Sequence, residues 1–224
     1  MDKNYSIYCI TMKNNSGRVK NVFEQKKVIN DLQIFDAINV QNCEKEEVLE
    51  IYKDYVDLNT LKNVTKGAIG CYISHLKLYE LFEKSKKDYM IVLEDDFKVK
   101  DNFYKNLEQL LSDLPNNFDF VYIYYDKIYY RNSLSKFKTT KTYKKCEPMY
   151  QTLGYIVSKN FLKKFDKNKK IKKPIDNELM EMMKNNELNY YASNDTLINN
   201  QGLGRTTNNK FKSLIHYSDY FIKK

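Results

Sequence analysis

Apolar residues recur along this chain in short blocks, and the period of the blocks switches between two and about 3.6. Tyr5-Ser6-Ile7-Tyr8-Cys9-Ile10-Thr11-Met12 alternates and is rich in β-formers, which predicts a first strand. Lys13 to Gly17 is a polar loop. Arg18 to Asn30 predicts a helix with Val19, Val22, Phe23 and the aliphatic stem of Lys26 on one face. Ile34-Phe35-Asp36-Ala37-Ile38 reads as a short second strand, and Glu44 to Tyr52 as a weaker acidic helix. In the stretch opening at Thr65, the set Ile69, Tyr72, Ile73, Leu76 and Tyr79 has helical spacing and predicts a helix ending near Lys86. Its two glycines, Gly67 and Gly70, permit close backbone approach at the helix start. Asn102 to Leu114 predicts an amphipathic helix stopped at Pro115. Phe118 to Tyr125 and Gln151 to Ser158 predict strands, Asn160 to Phe165 a short helix, and Tyr190-Tyr191-Ala192 a brief strand. Pro174 to Lys184 predicts a helix with Ile175, Leu179, Met182 and Met183 inward. Alternating strands and helices imply an α/β fold with a largely parallel sheet. No repeat or linker interrupts the 224 residues, which read as one domain over 1–224. Its appendages are a basic, unpatterned insertion at 126–147 and a tail at 205–224.

The chain is organised around Tyr89-Met90-Ile91-Val92-Leu93-Glu94-Asp95-Asp96, an apolar run that ends in three carboxylates. A strand apolar on both faces belongs inside a sheet covered by helices on both sides. Its carboxyl end opens into the crevice where α/β sheets bind ligands. Three adjacent acids repel one another there unless a cation lies between them, and an all-oxygen ligand set suits Mg²⁺ or Mn²⁺. A solvated acidic turn is the bland alternative. A nucleoside triphosphatase would need a G-x-x-x-x-G-K-[ST] loop, which the six glycines do not supply.

Charge and cysteines narrow the picture. A net charge of +9 attracts nucleic acid, anionic membrane or phosphorylated small molecules. No RNP-type aromatic motif, zinc finger or helix-turn-helix spacing supports specific nucleic-acid reading. Cys9, Cys43, Cys71 and Cys146 form no C-x-x-C pair and read as reduced and structural. No secretory signal and no apolar run of about 18 residues is visible, so a cytoplasmic location is expected. The tail, with Phe211, Leu214, Ile215, Tyr220 and Phe221 among lysines, fits either the cytoplasmic face of an anionic membrane or a packed closing segment.

Five pieces, in order, resemble glycosyltransferase family 25, which includes lipooligosaccharide and collagen galactosyltransferases. These are the opening strand with Arg18; Phe35-Asp36-Ala37-Ile38; Thr65-Lys66-Gly67-Ala68-Ile69-Gly70-Cys71-Tyr72-Ile73-Ser74-His75-Leu76, similar to a G-E-I-G-C-x-x-S-H-L signature; Val92-Leu93-Glu94-Asp95-Asp96, similar to its L-E-D-D metal motif; and Gly154-Tyr155-Ile156-Val157-Ser158 followed by Pro174-Ile175-Asp176. Ala68 departs from the family, standing where it has glutamate, and the segment before Arg18 holds fewer arginines.

The resemblance implies a GT-A-type, Rossmann-like nucleotide-sugar-binding fold and a UDP-sugar donor, with galactose or glucose passing to a glycan, lipooligosaccharide or glycoprotein acceptor, with inversion. It implies Mn²⁺ or Mg²⁺ as cofactor, assigned to Glu94 and Asp96, with Asp95 contacting ribose or sugar hydroxyls. His75 falls on the signature and either orients the acids, meets a phosphate or is a satisfied core residue. His216 is a third metal ligand by analogy with other GT-A enzymes, or a surface histidine. Arg18 suits a phosphate or is a helix-start arginine. Asp176 is the catalytic base or acceptor contact, or a helix cap. Rival functions are a nucleotide-sugar-binding relative impaired in transfer, motivated by Ala68, and a basic nucleic-acid-binding protein.

Overall fold

A computed structural model describes residues 4–126 and 142–202. His216, the tail at 205–224 and most of the 126–147 insertion lie outside them. In order, the elements are β1 (Tyr5–Thr11), α1 (Ser16–Lys26), β2 (Leu32–Asp36), α2 (Lys45–Ile51), α3 (Leu58–Asn63), α4 (Lys66–Lys84), β3 (Tyr89–Glu94), β4 (Phe97–Val99), α5 (Phe103–Asp113), β5 (Phe120–Tyr122), β6 (Tyr143–Lys144), β7 (Gly154–Ser158), α6 (Lys159–Lys164), α7 (Ile175–Lys184), β8 (Tyr190–Ser193) and β9 (Ile198–Asn200). The main sheet of the described residues has the order β2-β1-β3-β7-β5-β8-β6. β1 pairs parallel with β2 and β3, and β5 with β8, whereas β7 runs antiparallel to β3 and β5, and β6 to β8. Five strands thus run one way and β7 and β6 the other, giving the mostly parallel α/β sheet expected of the GT-A class.

Burial of β3 explains its position. Met90, Ile91, Val92 and Leu93 are all fully buried. Met90 and Val92 face a core shared with α4, α6 and α7, and Ile91 and Leu93 face one shared with α1 and α5. Helices therefore cover both sides of the sheet, as an uninterrupted apolar strand requires. The inward sets of α4 and α7 are buried as their spacing predicts.

Helix α1 differs from expectation. Phe23 is 54% exposed, and the buried residues are Asn21, Val22 and Gln25. The polar pair goes inside because it satisfies backbone groups: Asn21 Nδ2 donates to the carbonyls of Asp95 and Phe97, both at 2.9 Å, and Gln25 Oε1 accepts from Val99 N–H at 2.9 Å. The periodicity also gave no sign of α3, β4 or β9. The last two form a two-stranded antiparallel ladder, Phe97 to Asn200 and Val99 to Ile198, directly after the three acids.

Candidate functional site

The topology creates a crevice. From β1 the chain passes to β2 on one side, and β3 flanks β1 on the other. The carboxyl ends of these strands diverge at such a switch point, where open α/β sheets bind ligands. The cleft there is lined by Thr11 and Met12 after β1, Arg18 on α1, 37–40 after β2, Lys66, Gly67, Cys71, Ser74 and His75 on α4, and Glu94 and Asp95 at β3.

Helix α4 begins with Thr65, whose hydroxyl accepts from Ala68 N–H at 3.3 Å. The glycine and serine of the signature hold the cleft wall. A Cβ on Gly70 would collide with the Ile38 carbonyl oxygen. Ser74 Oγ accepts from Ile38 N–H at 2.8 Å and donates to the Gly70 carbonyl at 2.7 Å. The segment 37–40 is thereby pressed onto α4 with its polar groups satisfied. His75 is fully buried; its Nδ1 lies 2.6 Å from the Tyr155 hydroxyl, which lies 2.8 Å from the Tyr79 hydroxyl. Its Nε2 is 3.8 Å from Glu94 Oε1 and has no hydrogen-bond partner among the described residues.

The three acids have three environments. Glu94 closes β3 and faces His75. Burial acts to raise its pKa, and His75, Thr152 and Arg18 outweigh this, leaving the carboxyl below its ordinary range. Asp95 begins the turn after β3: Thr11 Oγ1 donates to its Oδ2 at 3.0 Å, and Arg18 is ion-paired to its Oδ1. Burial still raises the Asp95 pKa, and Arg18 partly counters it. Arg18 is held charged: burial works against the guanidinium, and Asp95 and Asp96 more than compensate. Asp96 has no ion pair among the described residues. Burial, then Glu94, push it up to about 6, and its Oδ1 is buried without a hydrogen-bond partner among the described residues. A carboxylate oxygen left in this state fits a cation ligand. Asp96 and Glu94 could hold a hard divalent cation. Asp95 fits it poorly, since both its oxygens are engaged.

Two residues that the sequence did not single out complete the site. Asn21, besides holding the carbonyls of Asp95 and Phe97, accepts through Oδ1 from Gln25 Nε2 at 3.2 Å and from Gln201 Nε2 at 2.9 Å. Gln201 N–H also donates to the Asp96 carbonyl at 2.8 Å. Tyr155 fixes His75. Asn21 had a signal, since Arg18, Asn21 and Gln25 form a polar stripe at i, i+3, i+7; Tyr155, inside an apolar strand, had none. Of the residues expected at the site, Arg18, His75, Glu94 and Asp95 line one cleft, and Asp96, next in the chain, is not among its lining residues. Asp176 is buried in the first turn of α7, outside the cleft lining, close enough that its charge helps raise the Cys71 thiol pKa, after burial and Glu94.

Fold and site together define an α/β protein with a ligand cleft at a strand switch point and a carboxylate cluster at its edge. A profile of glycosyltransferase family 25 (LPS biosynthesis protein) matches residues 4–180. The chain belongs to glycosyltransferase family 25. A glycosyltransferase 25 family member of Aedes aegypti is 26% identical over 191 residues, 82% of this chain and 31% of that protein. Procollagen galactosyltransferase 1-A of Xenopus laevis is 24% identical over 200 residues, 84% of this chain and 32% of its own length. A probable inactive glycosyltransferase 25 family member 3 of Rattus norvegicus is 31% identical over 78 residues, 34% of this chain and 14% of its own. The chain spans about a third or less of the length of these relatives.

Proposed function

We propose that this chain is a metal-dependent glycosyltransferase that moves galactose or glucose from a UDP-sugar to a hydroxyl of a glycan, lipooligosaccharide or glycoprotein, with inversion. The observation that carries the reading is Asp96 Oδ1, buried and without a hydrogen-bond partner among the described residues, next in the chain to the Glu94 and Asp95 that line the cleft where a diphosphate would lie. Asp96 and Glu94 would hold Mn²⁺ or Mg²⁺. When bound, that cation stabilises the negative charge that develops on the departing diphosphate. Arg18 lines the cleft and is locked by Asp95, so its remaining N–H donors are pre-positioned for a phosphate oxygen. In the transfer, the acceptor oxygen bonds to the anomeric carbon as the bond from that carbon to the diphosphate breaks. The electron pair leaves on UDP, and the hydroxyl proton passes to a carboxylate. Asp176, on the Cys71 side of the cleft, is assigned that role. Its replacement by Asn would lower kcat while leaving UDP affinity intact.

The test is thermal stability with UDP and Mn²⁺ together, each alone and neither, for the wild type and Asp96→Asn. A ligand at about 100 times its Kd stabilises by roughly 2.7 kcal/mol, a rise of about 5–11 °C for a chain of this size. A shift that needs both ligands and disappears in Asp96→Asn supports the reading. No shift under any condition sinks it. The inactive family member among the relatives motivates a second reading, in which the nucleotide-sugar binds without transfer. UDP binding without turnover on any acceptor selects it.

A further inference from the structure

Three side chains of different chemistry meet in the cleft. Cys71 and His75 are four residues apart and so lie on one face of α4. Glu94 comes to them from the end of β3. One ligand atom from each lies within 4.8 Å of the other two. His75 Nε2 is fully buried, unpartnered among the described residues and turned toward Glu94 at 3.8 Å. That separation is too long for a hydrogen bond. It is close to the roughly 3.4 Å between two ligand atoms that each lie about 2.1 Å from a tetrahedral cation. The opposite ring nitrogen is engaged by Tyr155, and Tyr155 by Tyr79. With Nδ1 as the donor to Tyr155, Nε2 is left with a lone pair. Metal-binding histidines are fixed in this way by an outer partner.

We propose that Cys71, His75 and Glu94 form a binding site for a thiophilic divalent cation of the Zn²⁺ class. A thiolate, an imidazole and a carboxylate match the preferences of Zn²⁺ and Co²⁺ and not those of Mg²⁺. On binding, the Cys71 S–H proton is released to solvent as the sulfur–metal bond forms. All three residues line the cleft, so the cation has an entry path, and water from the cleft would complete the coordination. Three protein ligands with one position open to solvent are typical of reactive rather than structural zinc sites. The site shares Glu94 with the oxygen-ligand site assigned above and is distinguished from it by Cys71 and by independence from Asp96. Its existence does not depend on the transferase reading.

The test uses Co²⁺ as a spectroscopic probe on the whole chain. One equivalent is expected to give a near-ultraviolet thiolate-to-cobalt absorption and visible bands of four-coordinate intensity, both removed by Zn²⁺. The absorption is lost in Cys71→Ser, weakened in His75→Gln and Glu94→Gln, and retained in Cys43→Ser and Asp96→Asn. Tyr155→Phe lowers Co²⁺ affinity about 10–100-fold while leaving the cobalt spectrum unchanged. Circular dichroism of each variant separates loss of ligand from loss of fold. Should His75→Gln unfold, Cys71→Ser and Glu94→Gln decide. Absence of a thiolate band, its survival in Cys71→Ser, or its loss in folded Asp96→Asn overturns the proposal.

Discussion

Asp96 makes the acidic cluster testable by pH alone. In the metal-free protein its carboxyl is pushed up from 3.8 to about 6 by burial, then by Glu94. Between those values the folded chain holds a proton that the unfolded chain has released. Stability therefore falls as pH rises from about 4 through 6. Each pH unit of displacement is worth about 1.4 kcal/mol, so the penalty reaches roughly 3 kcal/mol above pH 6 and vanishes below 4. Asp96→Asn removes the titration. Its amide introduces a constant offset of its own, since a buried N–H without a partner costs about 1–3 kcal/mol. The diagnostic quantity is therefore the change with pH, not the value at one pH. Urea unfolding in a chelating buffer from pH 4 to 7.5 should show the variant gaining on the wild type by about 2–3 kcal/mol across that range. With Mn²⁺ at about 100 times its Kd, the wild type should recover roughly 2.7 kcal/mol at pH 7.5 and the variant much less. Parallel curves for the two proteins in chelator would refute the assignment of a strained, cation-ready carboxylate to Asp96.

Three further substitutions probe the scaffold around it. Asn21→Ala removes four hydrogen bonds and leaves two buried carbonyls without this donor, so it should cost about 3–5 kcal/mol; calorimetry should show Tm falling by roughly 6–20 °C, and a fall under 2 °C would contradict the network. Gly70→Ala drives a methyl into the Ile38 carbonyl. The helix-propensity gain of about 1 kcal/mol should be outweighed by overpacking of about 1–3 kcal/mol, read by urea unfolding, with weaker UDP binding as the wall at 37–40 shifts. Arg18→Lys keeps a positive charge and loses the planar fork. Its affinity for UDP, followed by titration calorimetry, should drop about 10–100-fold, in line with the 1.5–3 kcal/mol of a charged hydrogen bond.

The parts of the fold legible in the sequence are those whose burial is one-sided or complete. The run from Met90 to Leu93 reads as a central strand because every residue is apolar, and α4 and α7 read correctly because their apolar sets follow a 3.6 period. Helix α1 misleads because the rule that polar residues face solvent fails there. Asn21 and Gln25 are drawn inside by the open carbonyls and N–H of the β3–β4 turn, and Phe23 is left outside. That demand arises from residues more than 70 positions away and leaves no local trace. β4 and β9 are three residues each, too short to show a period, and each exists because the other does. At the site, the three acids were visible as a cluster, but their division of labour was not. Asp95 is spent on Arg18 and Thr11, Glu94 faces a histidine, and only Asp96 keeps a buried oxygen without a hydrogen-bond partner among the described residues.

The same geometry bears on what Ala68 means. Counting from Thr65 at the N-cap of α4, Ala68 is the third helical residue, and its N–H is the one that the Thr65 hydroxyl caps. A glutamate at that position completes a capping box by reaching back to the N-cap N–H. The departure at Ala68 thus falls on the closure of the helix start, whereas the residues that face the ligand are elsewhere. Lys66, Gly67, Cys71, Ser74 and His75 line the cleft, and Ala68 is packed in the core among α4 neighbours. A missing cap weakens a helix terminus by about 0.5–2 kcal/mol and removes no cleft side chain. Here the terminus is also secured by the Thr65 hydroxyl and, one turn on, by the contact of Gly70 and Ser74 with Ile38. Ala68 by itself therefore argues for a softer wall beside the cleft rather than for lost chemistry: Glu94 and Asp95 still line that cleft, with Asp96 next in the chain.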